Sequence, residues 1–381
     1  MTRKVNTNRY LDYNASAPMR PIVMRAMQEA MHLVGNPSSV HKHGREVSKT
    51  LTEARDILME TIGAKNSRVI FTSGGTESNN LALHGRSIGT TMVSDIEHDS
   101  VLFAADDKNR IPVNSDGIVD LKRFEEMLSL RTSPTLISVM LANNETGVIQ
   151  PLHEITSIAH HNGCLVHCDA VQALGKMDIN MSHLGVDLLS LSAHKTGGPK
   201  GIGALIIADG VKLGPQLVGG GQEYTLRPGT ENFVSISGFA ATLADIQAQP
   251  EEISRISKMR SSLENKLRQA FPDVEIFGCN GPRLINTTCI RMRGLPAETQ
   301  VIALDLAGIS VSAGSACSSG KVTPSHVLKA MGLSSTIANE AIRISIGWAT
   351  TDEDIESATK AWIALQEKAL LGDFLGEHQD T

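Results

Sequence analysis

Two short apolar runs each lead into an ionisable residue, one at once and one a few positions on. Leu165-Val166-His167-Cys168 gives way to Asp169, and Leu188-Leu189-Ser190-Leu191 gives way to Ser192-Ala193-His194-Lys195. A brief apolar run bounded by polar residues is the pattern of a strand buried on both faces. Such runs, at 69–71, 91–93, 136–140, 164–168, 187–191 and 204–207, alternate with helical patterns from about residue 18 to 250, including one opening near Gly75 and one over 151–161. This alternation predicts an α/β fold with a mainly parallel sheet covered by helices. Ligands of such sheets bind beyond the carboxyl ends of the strands, where all the polar motifs of this chain fall.

A boundary is expected at Gln249-Pro250-Glu251-Glu252. The helix predicted over 251–270 carries Ile253, Ile256, Met259, Leu263 and Leu267 at helical spacing. Strands near 285–292 and 341–346 and helices near 297–306, 324–331 and 352–370 complete a smaller α+β unit. The division expected is a large domain over 15–250 and a small one over 1–14 and 251–381, with a polar tail after Leu371. The net charge of −6 leaves no basic footprint for nucleic acid or polybasic patch for a membrane. No apolar run approaches the ~18 residues that span a bilayer, and no charged-then-apolar leader is seen, so a cytoplasmic protein is expected. Cysteines 164, 168, 279, 289 and 317 form no dense framework. A metal site in 160–168 is disfavoured, because Cys164 and Cys168 on one strand face lie roughly 13 Å apart at ~3.3 Å per residue. Zinc–sulfur bonds of ~2.3 Å do not reach that far.

An acid at one strand end and a lysine just past a later one suit pyridoxal phosphate. The Lys195 amine can form the Schiff base, and Asp169 can pair with the pyridinium nitrogen, so that the ring acts as an electron sink. Ser73-Gly74-Gly75-Thr76-Glu77-Ser78, between a strand and a helix, can cradle the phosphate on helix-terminal amides. Ser192 and His194 can add donors. Alone, that loop is equally a plain capping turn, and Lys195, like its rival Lys200, a solvated lysine. Asp169 in isolation is a capping aspartate. His98 can stack on the ring and shuttle protons, or simply open a helix. Asn143-Asn144-Glu145-Thr146-Gly147 offers an Asn to the cofactor or substrate, or a tight turn. Arg343, in an apolar strand, wants an anion such as a substrate carboxylate, or a structural ion pair. Cys317, in Ser312-Ala313-Gly314-Ser315-Ala316-Cys317-Ser318-Ser319-Gly320-Lys321, has small neighbours on both sides, the setting of an accessible nucleophile and not of a buried structural thiol.

Together these residues resemble the cysteine desulfurases, the NifS/IscS-like branch of the class-V aminotransferases. The resemblance runs in order through Leu11-Asp12-Tyr13-Asn14-Ala15, Gly35-Asn36-Pro37-Ser38-Ser39-Val40-His41, 73–80, Glu97-His98, 143–147, 169–172, 192–195, Gly229-Thr230-Glu231-Asn232, Gly314-Ser315-Ala316-Cys317 and Pro324-Ser325-His326-Val327-Leu328. It implies the fold-type I architecture of aspartate aminotransferase, with a seven-stranded sheet in the large domain and the cysteine loop on the small one. It also implies the roles. Lys195 carries pyridoxal 5'-phosphate, and Gly75, Thr76, Ser192 and His194 hold its phosphate. Asp169 binds the ring nitrogen, Gln172 the phenolic oxygen, and Asn144 lies at cofactor and substrate. His98 covers the ring, Arg343 takes the substrate carboxylate, and Cys317 receives the sulfur, with its pKa lowered by a nearby histidine or Lys321. Thr230 would reach the phosphate of a neighbouring subunit in a homodimer.

The implied reaction turns L-cysteine into L-alanine and a Cys317 persulfide, a sulfurtransferase activity feeding an acceptor such as an iron–sulfur scaffold, a sulfur shuttle or a tRNA-thiolation enzyme. A selenocysteine lyase or other β-lyase, and a silent sulfur-relay scaffold, are the alternatives. One stretch departs. The family's Gln-Glu-Arg-Gly-x-Arg reads Gln222-Glu223-Tyr224-Thr225-Leu226-Arg227 here.

Overall fold

A computed structural model describes residues 8–85, 89–103, 105–131, 133–314 and 323–371. Cys317 and the tail after Leu371 lie outside the described residues. Seven strands form the large sheet, in spatial order Arg68–Thr72, Gly203–Ile207, Leu188–Ser192, Leu165–Asp169, Thr135–Ser138, Thr90–Ser94 and Arg110–Ile111. Gly203–Ile207 runs antiparallel to both neighbours, and every other pairing is parallel. Chain length explains the reversal. A parallel crossover needs about a dozen residues or more, and the 193–202 segment is shorter than that. The apolar run expected over 136–140 leaves regular strand structure at Ser138.

The predicted two-sided burial is visible residue by residue. Val69, Phe71, Leu189, Leu191, Ala204 and Ile206 face one core; Ile70, Leu188, Leu205 and Ile207 face the other. Helices Lys42–Thr61, Leu121–Ser129, Leu152–His161 and Phe233–Ala248 cover the first face through Leu58, Phe124, Ile155 and Phe239. Helix Gly75–His84 covers the second through Leu81 and Leu83.

A separate core joins Leu11 to helices Glu251–Ala270 and Asp352–Leu371. Ile256, Met259, Leu263 and Leu267 are buried, as the helical spacing predicts, while Ile253 is half-buried. Beneath them lies an antiparallel sheet in the order Ser312–Ala313, Ala341–Ser345, Thr287–Arg291, Ile276–Phe277. The 11–14 segment is stitched to this sheet, with Ser345 N donating to Leu11 O at 2.8 Å and Tyr13 N to Ser345 O at 3.1 Å. It then delivers Asn14 to the carboxyl ends of the large sheet. No helix among the described residues is long and apolar enough to cross a membrane.

The departing stretch folds unusually. Glu223, Tyr224 and Thr225 all have left-handed backbone, with φ of 46, 57 and 68°. Glu223 is buried and fixed, accepting from Arg55 Nη2 at 2.5 Å and from Phe71 N at 2.9 Å. Arg55 in turn stacks over the Phe71 and Tyr224 rings. A β-branched residue is strained at positive φ, and Thr225 stands where the resembled motif has glycine. Thr225→Gly is therefore expected to stabilise the protein by about 1 kcal/mol despite the greater chain entropy of glycine. A urea midpoint equal to or below the parent's would contradict this.

Candidate active site

Five strand ends, those of Arg68–Thr72, Thr90–Ser94, Thr135–Ser138, Leu165–Asp169 and Leu188–Ser192, open on one cavity of about 320 Å³. Gly75, Thr76, His98, Asn144, Asp169, Gln172, Ser192, His194, Lys195 and Arg343 all line it. Lys200 is exposed and does not line it. Thr230 is also exposed and lies outside the cavity.

Each side chain is placed by local structure. Helix Gly75–His84 follows the edge strand but packs on the inner strands Gly203–Ile207 and Leu188–Ser192, and its first amides have no acceptor within the helix. The approach demands glycine: a Cβ on Gly75 would meet Val171 Cγ2 at 2.8 Å, and one on Gly203 would meet Gly74 Cα at 2.7 Å. Asp169 is buried at the end of its strand. Its Oδ1 accepts from Val171 N at 3.0 Å and its Oδ2 from Asn79 Nδ2 at 2.7 Å, and it makes no ion pair among the described residues. It is thus a capping aspartate as well, with a side chain still facing the cavity. His98 does open a helix, its Nδ1 accepting from Ser100 N at 3.1 Å. The 143–147 segment is indeed a tight turn, held by Asn143 Oδ1, and it presents Asn144 to the cavity. Lys195, in the turn after Ser192, donates from Nζ to Asn14 O at 2.7 Å and Ala15 O at 2.9 Å. Arg343 is both an ion pair and a cavity residue: Nη2 meets Asp12 Oδ1 at 2.7 Å, Nη1 donates to Asn144 O at 3.1 Å, and buried Nε has no partner.

Gly314, His98 and Asn144 also face an adjoining cavity of about 300 Å³, walled by Phe103, Glu145, Thr323, Pro324 and His326. Of the residues flanking 315–322, Gly314 thus lines both cavities and Thr323 the adjoining one. Glu145 touches both flanks. Its Oε2 accepts from Ser325 Oγ at 2.5 Å and would lie 2.5 Å from any Cβ on Gly314.

Four contributors escape a reading of the sequence. Asn14 sits inside a quoted motif but acts as a hub, and Asn79 holds Asp169. Lys176 lies behind Gln172, and Glu97 is buried beside Asp169. Spacing offered a faint signal for two: Asn79 lies four residues after Gly75 on the same helix, and Lys176 four after Gln172.

Burial sets the protonation of the surroundings. It pushes His194 down to about 4, helped by the positive charges of Lys195, Lys200 and Lys176, so the imidazole is neutral near pH 7. Burial also lifts Glu97 to about 8; hydrogen bonds from Ser94 Oγ and Met140 N oppose the shift, and the charge of Asp169 adds to it.

The residues present fit pyridoxal phosphate. Ser192 Oγ is buried without a partner on the wall beside the glycine-lined helix start, where a phosphate oxygen would accept from it. Asp169 has a buried carboxylate turned toward the cavity and no cation, and a ring N–H would supply one. Lys195 and Arg343, whose Nε has no hydrogen-bond partner, line the same cavity. The 160–168 segment is spoken for otherwise: His160 pairs with Asp187 at 2.9 Å, His167 lies between Ser138 and Ser190, and Cys164 and Cys168 pack in the core.

The chain belongs to the class-V aminotransferase family, whose family model matches residues 9–357. Within it the likeness is to the NifS/IscS-like cysteine desulfurases. The chain is 40% identical over 361 residues to cysteine desulfurase IscS of Dictyoglomus turgidum, covering 91% of both chains. It superposes on the NifS-like protein of Rickettsia africae with a TM-score of 0.88 at 35% identity, covering 94% of this chain and 99% of that one. A structure described as SspA in complex with cysteine follows at 0.77 and 32%, covering 89% and 99%.

The Glu97 shift makes a stability prediction. A carboxyl whose pKa is raised on folding favours the folded state fully below its unfolded value near 4.5 and loses that contribution as pH climbs through about 8. Glu97→Gln, a permanent mimic of the protonated form, is expected to lose less stability than the parent between about pH 5 and pH 8. Parallel urea-midpoint curves for the two proteins would refute the buried, protonated Glu97.

Proposed function

We propose that the protein is a pyridoxal-phosphate-dependent cysteine desulfurase, a sulfurtransferase acting in the cytoplasm as a homodimer. The observation that carries this is the convergence of Lys195, Asp169 and Arg343 on one cavity that Gly314, at the start of the segment holding Cys317, also lines. The cysteine desulfurases and NifS-like proteins among its relatives support the same reading.

In this reading Gly75, Thr76, Ser192 and His194 hold the cofactor phosphate, joined by Thr230 of the second protomer. The exposure of Thr230, on a loop that also exposes Leu217, Val218 and Tyr224, supports that assignment. Asp169 keeps the ring nitrogen protonated, Gln172 donates to the phenolic oxygen, and His98 covers the ring. Pyridoxal phosphate, when bound, supplies an electron sink for the pair left at the substrate α-carbon. Arg343 grips the substrate carboxylate with its fork, using the Nε that lacks a partner. Asn144 orients the bound substrate. Lys195 Nζ takes the α-proton and His98 carries protons across the cavity.

Cys317 Sγ, as a thiolate, then attacks the substrate sulfur. An S–S bond forms, and the Cβ–S bond breaks with its electron pair left on carbon. That carbon is protonated, and L-alanine leaves with a persulfide on Cys317. The small domain, 1–14 and 251–381, carries this cysteine to the site of the large one, 15–250. The persulfide feeds a sulfur acceptor, an iron–sulfur scaffold or a shuttle toward tRNA thiolation.

Lys195→Ala is expected to abolish both the visible cofactor band and alanine release; a coloured, active variant sinks the assignment. Arg343→Ala should keep the band and lower kcat/KM for L-cysteine roughly a hundredfold, mostly through KM, as loss of a charged hydrogen-bonded pair of ~3 kcal/mol implies. An unchanged KM would place the substrate carboxylate elsewhere.

A further inference from the structure

Lys176 is the most anomalous charged side chain of the described structure. It is buried, yet no carboxylate pairs with it among the described residues. Buried lysines are rare without a counter-ion. Its Nζ has neutral acceptors instead, Gln172 Oε1 at 2.8 Å and Asn14 Oδ1 at 3.0 Å. The other charges around it are cations. Burial first, then Lys195 and Arg343, drive its pKa well below that of a free lysine. Across a small adjoining cavity stand Tyr13 and the Arg20–Glu252 pair, in which both Glu252 oxygens are already taken by Arg20.

The hydrogen bonds fix which way the Gln172 amide points. A carbonyl oxygen can only accept, so Nε2 must face Asn14 O, and Oε1 is the atom turned to Lys176 Nζ. One Nε2 hydrogen goes to Asn14 O at 3.0 Å, and the amide has a second to give. Gln172 lines the main cavity, whereas Lys176 does not. Donation into Oε1 also polarises the amide and strengthens its N–H as a donor.

We propose that Lys176 is a positioning residue that acts through Gln172, holding its amide oxygen so that Nε2–H is presented to the phenolic oxygen of the cofactor. This rests on the reading of the site as one for pyridoxal phosphate. A donor aimed at that oxygen favours its deprotonated form and lowers the pH at which the cofactor's absorbance band changes. A merely structural lysine, replaced by a methionine of similar length, would leave that pH alone.

The test is a spectrophotometric pH titration of the purified, cofactor-loaded enzyme in the absence of substrate. The titration midpoint of Lys176→Met is expected to rise by about half to one pH unit. Gln172→Leu should raise it at least as much, and the double variant should rise no further than Gln172→Leu alone. An unmoved midpoint in Lys176→Met overturns the proposal, as does a further rise in the double variant, which would mean that the lysine acts directly. Should Lys176→Met fail to fold, an unmoved midpoint in Gln172→Leu overturns it equally. A parent protein that binds pyridoxal phosphate and shows an unmoved variant loses only the role of Lys176. A parent with no cofactor band loses the reading of the site as well.

Discussion

The structure around the site hangs on Asn14. Its backbone carbonyl accepts from Lys195 and Gln172, its side-chain oxygen from Lys176 and Asn286, and its side-chain nitrogen donates to Asn144 O and Thr287 Oγ1, while its backbone N–H goes to Ser345 Oγ. Every donor and acceptor that an asparagine possesses is thereby used. Lys195, Gln172 and Lys176 belong to the large sheet's loops, and Asn286, Thr287 and Ser345 to the small sheet. A net hydrogen bond contributes only about 0.5–1.5 kcal/mol, but a partner left buried and unpaired costs about 1–3 kcal/mol. The network is therefore cooperative in the practical sense that removing Asn14 strands several groups at once.

Charge around the cavity is arranged by the same means. Glu97 and His194 are held neutral near pH 7 by burial, which leaves Asp169 facing Lys195 and Arg343 as the cavity's ionic contrast. Arg343 shares its fork between Asp12 and the carbonyl of Asn144, the residue before Glu145, whose carboxyl takes Ser325 Oγ. One tight turn thus joins the proposed substrate-carboxylate site to the residues flanking Cys317. The turn is rigid because Asn143 is buried and fully engaged.

Much of this was legible in the sequence because the parallel sheet writes its own signature. Apolar runs that end at Asp169 and Ser192 locate the strand ends, and the strand ends locate the cavity. Glycines at 74–75 mark a helix start that lies close against Val171 and Gly203. The hub was not legible, since Asn14 meets its partners across 130 to 331 residues of chain and a polar residue near an N-terminus looks like any other. Lys176 was hidden because a lysine is by default read as exposed, and only the fold shows that it is buried. The direction of strand Gly203–Ile207 depends on loop length, which a strand pattern does not encode. The departure at 224–225 was visible, but its consequence, a threonine held in left-handed backbone, is not a property of residue types.

The account's central claim is that sulfur leaves L-cysteine for Cys317 in a site built on Lys195. The measurement that reaches it most directly is the intact mass of the purified protein after anaerobic exposure to L-cysteine, beside Cys317→Ser treated identically, with alanine quantified in both. The account predicts a gain of sulfur on the parent alone, accompanied by released alanine. Alanine without any gain of mass on the parent, or an equal gain on Cys317→Ser, would contradict it.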